Sequence, residues 1–504
     1  MASYSAKRSR PLPPRVPVNE NDRLLERIPI PECLNDDQKH AFDTVVNGRF
    51  STFITGDAGT GKSFLLKQII KAYDDIGRTT TVVAPTGIAA LNVDGVTIQR
   101  WAGLSSFDYD VDRSLMLIRR AKRTTAWHVA TLIIDEISML QGNILTKIDR
   151  LFRIIRGKPE LPFGGAQIVV FGDFLQLPPV EKDKTKTAER CFQSPAWKYI
   201  APHTCYLKTA VRQTDEDFIN CLREIRKGDL SDLSISKLEA KIFQSSIPPE
   251  YVKTSIFSHN AAVDRENTRK LNQLPGEVVV YEAELKHDGT ESGRMEAIAL
   301  ANSSRSPQRL ELKVGAQIMI TANIKPEDGL VNGARGTVVA LESYAVTIVL
   351  ESDLAEQKTP IDIVPHLVEK RESLEHVPVS YKQMPIVLAY AFTVHKAQGL
   401  TLRKFAVDLS RLFDHGQGYV ALSRATCFDD FIILGRFDIG KITACPLAKK
   451  YYRDLISGGK CHIESSHKEC MECRKVFCNE CALPTRGYEE FAMLCTPCLR
   501  GGEA

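Results

Sequence analysis

Apolar positions along this chain fall into short unbroken runs, separated by polar loops and by stretches of helical periodicity. That pattern predicts buried parallel strands alternating with helices. Phe50 to Thr55, Thr81 to Ala84, Thr131 to Ile134 and Ile168 to Phe171 are strand-like, and Phe64 to Ala72 reads as a helix just after the first of them. Polar signatures sit where these strands end, which is where ligands bind in an open parallel sheet. Between Gly336 and Met384 the pattern becomes β-like, with Thr337 to Leu341, Ala345 to Leu350 and Ile361 to Val364 separated by polar turns. A small barrel-like insertion is expected there. Met384 to Phe392 suits another buried strand, and no apolar run approaches the length of a membrane span.

The loop after the first strand reads Gly56-Asp57-Ala58-Gly59-Thr60-Gly61-Lys62-Ser63. It follows a strand and opens a helix, the context in which a phosphate-binding loop works. Its glycines let successive backbone N–H groups close around a polyphosphate, and the helix start adds partial positive charge. Lys62 is expected to reach the β- and γ-phosphates, and Ser63 a magnesium ion. Asp135 and Glu136 end the strand Thr131 to Ile134. Asp135 then holds the magnesium, and Glu136 polarises the attacking water. Ile168 to Phe171 leads into Gly172-Asp-Phe-Leu-Gln-Leu-Pro-Pro-Val180, where Gln176 reads either as a sensor of the γ-phosphate or as a solvated loop residue. These residues imply an ATPase.

The chain has 504 residues, room for two to four domains, and a formal net charge of +4. Residues 1 to 19 carry Lys7, Arg8, Arg10 and Arg15 with no acid, so the remainder balances to zero. A nucleic-acid groove must therefore be a local arrangement of charge. Residues 1–30, rich in proline and without periodicity, read as a disordered arm. Lys7-Arg8-Ser9-Arg10 is a nuclear address, a phosphate contact or a solvated tail. The prolines interrupt any amphipathic presequence, leaving a mitochondrial address poorly supported, and no secretory signal is seen.

In this order the signatures resemble those of the Pif-type DNA helicases, RecD relatives in helicase superfamily 1B. The resemblance runs from about residue 34 to 435. It is carried by Leu34-Asn-Asp-Asp-Gln38, Ala84-Pro-Thr-Gly-Ile-Ala-Ala90, the segment 143–156 with Pro162-Phe-Gly-Gly165, and Val211-Arg212-Gln213. Leu330 to Gly336, Ala389 to Gly399 and Gln417 to Arg424 complete it. It implies an α/β fold of two RecA-like lobes with parallel sheets: residues 31–200, with a wedge-forming insertion at about 97–125, and residues 201–440, with an SH3-like β insertion at about 336–384. Gln38 would read the adenine edge, and Arg212 and Arg424, taken from the second lobe, would stabilise charge on the γ-phosphate. Thr86, Phe174, Thr393, His395 and Lys396 carry over as contacts to single-stranded DNA, with His395 equally readable as a hydrogen-bonded brace. At Gln99-Arg100-Trp101 the chain departs from the family, which has histidine and then serine-phenylalanine; Trp101 either stacks on a base or belongs to the core.

Thirteen cysteines are spread unevenly, with six scattered and seven between 461 and 498. The scattered ones read as small core residues in a reducing compartment. In the segment 441–504, taken as a linker and a cysteine-rich module, Cys470, Cys473, Cys478, Cys481, Cys495 and Cys498 form three C-x-x-C pairs. Such spacing suits zinc. One arrangement joins Cys470, Cys473, Cys495 and Cys498 in one site and Cys478, Cys481, Cys461 and His467 (or His462) in a second; the rival is one site from Cys470 to Cys481.

Three functions stay open at this level. The first is a magnesium- and ATP-dependent helicase moving 5′ to 3′ on single-stranded and forked DNA as a monomer, nuclear or otherwise intracellular, in replication, repair, recombination or telomere maintenance. The second is a DNA- or RNA-stimulated translocase, and the third an interaction protein working through the zinc tail on an ATPase scaffold. The polarity comes only from the resemblance.

Overall fold

A computed structural model of the chain describes residues 27–456 apart from 105, 180–187, 244–250, 252–253, 304–305, 323, 326–327, 329, 331–333, 352–358 and 371–378, together with 467–469, 476–478, 483–484 and 493–494. Strands β1 (Thr52–Gly56), β2 (Thr80–Ala84), β3 (Val96–Thr97), β4 (Thr131–Ile134), β5 (Gln167–Phe171) and β6 (Thr204–Leu207) form one parallel sheet in the order β3-β2-β4-β5-β1-β6. Every residue of β1, β4 and β5 is buried. These central strands read as unbroken apolar runs because both faces of the sheet are covered. On one face pack helices α1 (Asp36–Phe42) and α2 (Lys62–Asp75), through Phe42, Leu65, Ile69 and Tyr73. The other face carries α3 (Gly142–Ile155) and a cluster of aromatic rings.

A second parallel sheet runs β9-β8-β10-β11-β7, from β7 (Ile242–Phe243), β8 (Ser255–Phe257), β9 (Ala391–Thr393), β10 (Phe405–Val407) and β11 (Phe431–Leu434). Helices α4 (Glu216–Lys227) and α5 (Gln417–Leu422) pack against it through Phe218, Leu222, Ile225, Val420 and Leu422. Two lobes are thus present, each built on a parallel sheet.

Three boundaries differ from expectation. The first sheet does not stop at residue 200, because β6 pairs with β1 along 204–207. The β insertion starts well before 336. Its five-stranded antiparallel sheet takes in Gln317–Ile320 as well as Arg335–Leu341, Val346–Leu350, Ile361–Ile363 and Ile386–Leu388. A further sheet pairs Glu284–Lys286 with Val379–Gln383, which pairs in turn with His366–Lys370. The insertion has its own core, in which Leu310, Leu312, Ile318, Val338, Ile348 and Ile386 are buried. Last, residues after 440 do not begin a linker: α6 (Pro446–Ile456) returns to the first lobe, where Ala448 and Tyr452 join the aromatic core. Tyr451 stacks on Phe192 with ring centroids 4.8 Å apart, and the Trp197 indole N–H donates to the Tyr451 hydroxyl at 3.2 Å. Short amphipathic segments far apart in sequence carry no mark of which sheet they cover.

From the segment proposed as a wedge, Ile98, Trp101, Leu104, Phe107, Leu115 and Ile118 pack into the first lobe's core, while Met116, Arg119 and Arg120 are exposed. The short helix Ile98–Ala102 is capped by the Thr97 hydroxyl and buries Ile98 and Trp101. Trp101 meets Trp127 at 4.6 Å and Phe152 at 5.7 Å. The segment 143–156 with its turn at 162–165 forms a brace. The Asp149 carboxylate accepts from Phe163 N and Arg153 Nε, and Arg156 donates to the carbonyls of Gly164 and Val129, both at 2.8 Å.

Candidate active site

The phosphate loop leaves β1 and enters α2 through Gly61, a left-handed residue with φ 78°. No side chain caps α2 and no acid occupies its first turn, so the amides there are left for an anion. Gly59 has φ +84°, and a Cβ there would sit 2.2 Å from Gln213 Oε1 and 2.9 Å from Arg212 Cβ. Only glycine allows the segment 211–213 to lie this close. Val211 N and Arg212 N both donate to Gly59 O, at 2.8 and 3.1 Å.

The Lys62 ammonium donates to the carbonyls of Gly56 and Asp57, both at 2.8 Å. Burial lowers its pKa, and the carboxylates of Asp173, Glu136 and Asp57 oppose that shift. Asp135 follows β4 with 8% exposure, its backbone N–H bonded to Val83 O at 2.9 Å. Burial first, and the Glu136 carboxylate second, push its pKa up to about 7. Glu136 adopts the left-handed region, φ 51°, uncommon for a residue with a Cβ and a mark of functional sites. Burial raises its pKa as well, against the pull of Lys62 and Arg424. Two adjoining carboxylates that resist ionisation favour a bound cation.

Magnesium fits this donor set. It is usually held by one or two carboxylates with substrate phosphates and water, not by an all-protein cage. Among the described residues no group of three or more His, Cys, Asp or Glu could hold a metal alone. Asp135 and the exposed Ser63 at the start of α2 are the expected holders.

The second lobe reaches over these groups. Gln398, a few residues after β9, donates through Nε2 to Gln176 Oε1 at 3.3 Å and lies close enough to the Glu136 carboxylate to favour its ionised form, while its own Oε1 is buried without a partner among the described residues. Arg424, 2% exposed, donates to Val420 O at 2.8 Å, Leu400 O at 3.1 Å and Ser423 Oγ at 2.9 Å. Burial, and then the neighbouring Arg212, pull its pKa down to about 9. Arg212 donates to Ser423 O at 3.1 Å and is likewise lowered by burial. A buried guanidinium with a second, part-buried one beside it is destabilised until an anion joins them. Arg212 was expected from the second lobe, yet it stands on the segment that follows β6 and is tied to Gly59, so it bridges the lobes.

Gln38 lies under the loop. It completes a capping box with Asn35, and its amide donates to Thr60 O at 3.2 Å. The sequence reading missed Gln398, Gln213, Tyr419 and Arg226. Gln213 donates to Ala425 O at 3.2 Å, and Ala58 N donates to the Tyr419 hydroxyl at 2.6 Å. Three of the four lie inside motifs that marked the site, so position within a motif was the available signal. Arg226 lay in an ordinary amphipathic helix and gave none.

The residues expected on DNA scatter more widely. Phe174 is fully buried between Phe53, Trp197, Phe192 and Tyr451, and Trp101 is 4% exposed in the core already described. Neither presents a stacking face, because both rings point into the packed face of the sheet. Thr393 is buried, and its hydroxyl caps the turn Val394–Ala397 by accepting Lys396 N at 3.3 Å. The Thr86 hydroxyl accepts Ala89 N at 3.2 Å. Lys396 is exposed; His395 is partly buried, and burial lowers its pKa against the pull of Asp414.

Of the expected zinc ligands, Cys461, Cys470, Cys473, Cys481, Cys495 and Cys498 lie outside the described residues, as do His462 and residues 1–26. Backbone pairing sets His467 opposite Cys478 in the hairpin of 467–469 with 476–478. Of the scattered cysteines, 191, 205, 221 and 445 are buried and 33 is exposed.

A parallel sheet with a phosphate loop, paired carboxylates at the end of β4, Arg212 on the segment after β6 and Arg424 brought from a second lobe define a two-lobed P-loop nucleotide triphosphatase. Residues 33–235 match the model of the PIF1-like helicase family, and 298–341 match that of the DNA helicase Pif1 2B domain. The chain belongs to the PIF1-like helicase family. It is 35% identical to the ATP-dependent DNA helicase PIF1 of Xenopus laevis over 84% of its own length and 64% of that relative's. The crystal structure of Pif1 helicase from Candida albicans is similar with TM-score 0.74 and 33% identity, covering 84% of this chain and 99% of that one. The Bacteroides Pif1 helicase in complex with ADP-AlF3 and single-stranded DNA has TM-score 0.62 and 28% identity, covering 85% of this chain and 99% of that one. The chain thus spans somewhat under two thirds of that first curated relative.

Proposed function

We propose that this protein is an ATP-dependent DNA helicase that hydrolyses ATP to move 5′ to 3′ along single-stranded DNA and separate duplexes. The observation that carries this reading is the meeting of Glu136, Gln176 and Gln398 beside Arg424 and Arg212, in a cleft whose two walls belong to different sheets. A site completed from two lobes makes hydrolysis depend on how the lobes sit, and so links turnover to movement. The DNA helicase of Xenopus laevis and the single-stranded DNA held by the Bacteroides Pif1 helicase described above support the same reading.

In this reading Lys62 and the loop amides bind the β- and γ-phosphates, and Gln38 borders the adenine. Glu136 takes up and orients the attacking water, while Gln176 and Gln398 report the γ-phosphate across the cleft. Arg212 and Arg424 stabilise the charge that develops as the bond to the leaving phosphate loosens. Magnesium, held by Ser63 and Asp135, supplies charge neutralisation when bound. Lys396, His395 and Thr86 contact the DNA strand near the strand ends.

Zinc in the cysteine-rich end is part of the proposal, supported by the three C-x-x-C pairs and by the register of His467 against Cys478. Two zinc ions per purified chain would support the interleaved sites, and one would refute them. That module is proposed to recruit a protein or nucleic-acid partner, with the helicase acting as a monomer at nuclear or other intracellular DNA. The deciding experiment is ATP-dependent displacement from otherwise identical duplexes bearing a 5′ or a 3′ single-stranded tail. Unwinding confined to the 5′ tail is expected; unwinding confined to the 3′ tail, or none at all, would overturn the reading.

A further inference from the structure

Beside the phosphate loop lies a cluster centred on an arginine to which the hydrolysis chemistry above gives no role. Arg226, in the last turn of α4, is 3% exposed. Its Nε and one terminal nitrogen donate to the two oxygens of Asp173, at 2.9 and 2.8 Å. Its other terminal nitrogen stands 3.2 Å from Asp57 Oδ1 and 3.3 Å from the Tyr206 hydroxyl. The guanidinium carbon lies 4.8 Å from the centre of the Tyr452 ring. One side chain of the second lobe thus holds the second residue of the phosphate loop, the loop that carries Gln176, and the helix that closes the first lobe.

Each arm leads to a group in the active site. Asp173 also accepts Leu175 N at 3.1 Å, and Gln176 N donates to Asp173 O at 2.9 Å, so the orientation of Asp173 sets the turn that presents Gln176 to Gln398. Asp57 adjoins Ala58, whose N–H the second lobe holds through Tyr419. Tyr452 touches both ends of the same path: its hydroxyl bonds Thr55 Oγ1 at 2.6 Å and accepts Phe174 N at 3.1 Å. The second lobe also presses on this loop directly. Gly416 has φ +77°, and a Cβ there would lie 2.7 Å from the carbonyl oxygens of Leu175 and Gln176.

We infer that Arg226 is a positioning residue that couples the second lobe to the γ-phosphate sensor, by fixing Asp57 and Asp173 together in the catalytic arrangement. Bidentate geometry explains why arginine serves here. A planar fork holds both Asp173 oxygens and still reaches Asp57, whereas an ammonium group of equal charge is a point donor on a flexible stem. When DNA moves the second lobe, α4 carries Arg226 with it, and Gln176 follows through Asp173. The inference rests on the helicase reading and names the side chain through which DNA acts on hydrolysis.

The test compares the full chain with its Arg226→Lys variant, which keeps a positive charge beside the buried Asp173. ATP hydrolysis is measured with and without single-stranded DNA across a range of ATP concentrations. The expected result is a KM for ATP within about twofold of the parent, a DNA-stimulated kcat lowered about tenfold, and a ratio of stimulated to unstimulated rate that falls toward one. A purely structural role would instead lower the melting temperature and leave that ratio intact, which overturns the inference. Asp57→Asn, at a partly exposed position that loosens the same arginine, serves if the lysine variant does not fold; a parent-like stimulation ratio there overturns it equally. A parent enzyme that DNA does not stimulate at all would sink the helicase reading itself, and a stimulated parent with a stimulated variant sinks only the role of Arg226.

Discussion

The nucleotide cleft and the edge proposed to face DNA were read from the same kind of motif, yet they came out differently. In the cleft, the glycine loop, Lys62, Asp135, Glu136, Gln176 and Arg424 converge, and Arg212 joins them from the segment between the lobes. Along the edge, Phe174 and Trp101 are interior rings and Thr393 is a helix cap. A polyphosphate site demands unusual chemistry: glycine where backbones touch, an uncapped helix start, and charges buried against their preference. Base stacking demands only an exposed ring, and an exposed ring looks the same in sequence as a buried one.

The sharpest test of that contrast is at the cleft. Lys62→Ala should reduce ATP hydrolysis by at least about a hundredfold, and Glu136→Gln should stop turnover while nucleotide binding by equilibrium titration persists. Normal turnover in either would remove the assignment. Arg424→Ala should lower kcat by about a thousandfold with a smaller change in KM, measured by steady-state kinetics. A change confined to KM would mean that its guanidinium binds ATP without serving the transition state.

The aromatic residues should behave in the opposite way. Trp101→Ala and Phe174→Ala should each cost about 3–5 kcal/mol in denaturant unfolding, because each leaves a large cavity in a ring-packed core. A selective loss of DNA affinity at unchanged stability would restore them to the interface. For Lys396→Ala the converse is expected: unchanged melting temperature, weaker binding to single-stranded DNA, and a salt dependence shallower by about one phosphate contact.

The smallest effect concerns pH. Burial favours the neutral form of Asp173, but the Arg226 guanidinium outweighs it and holds the carboxyl below the ordinary value of 3.8. Its contribution to stability is therefore complete above pH 3.8 and is lost as the pH falls through the lower folded value. Acid unfolding of Arg226→Lys should begin at a higher pH than that of the parent, and coincident curves would show that the pair adds nothing particular.

Much of the architecture was legible because a doubly covered parallel strand has no choice but an unbroken apolar run. β1, β4 and β5 coincide with such runs within a residue or two. The glycines and the lysine of the phosphate loop were equally plain, since their spacing follows from the shape of a phosphate chain. What the sequence concealed was partnership across distance. The return of α6 to the first lobe, the earlier start of the β insertion and the placing of Arg226 between Asp57 and Asp173 each depend on segments far apart in the chain. Local pattern reports how a segment folds and which face it must bury, because those are set by neighbours a few residues away. Which distant surface receives that face, and whether a ring or an arginine meets a ligand or the protein's own interior, is decided only when the whole chain competes for the same buried space.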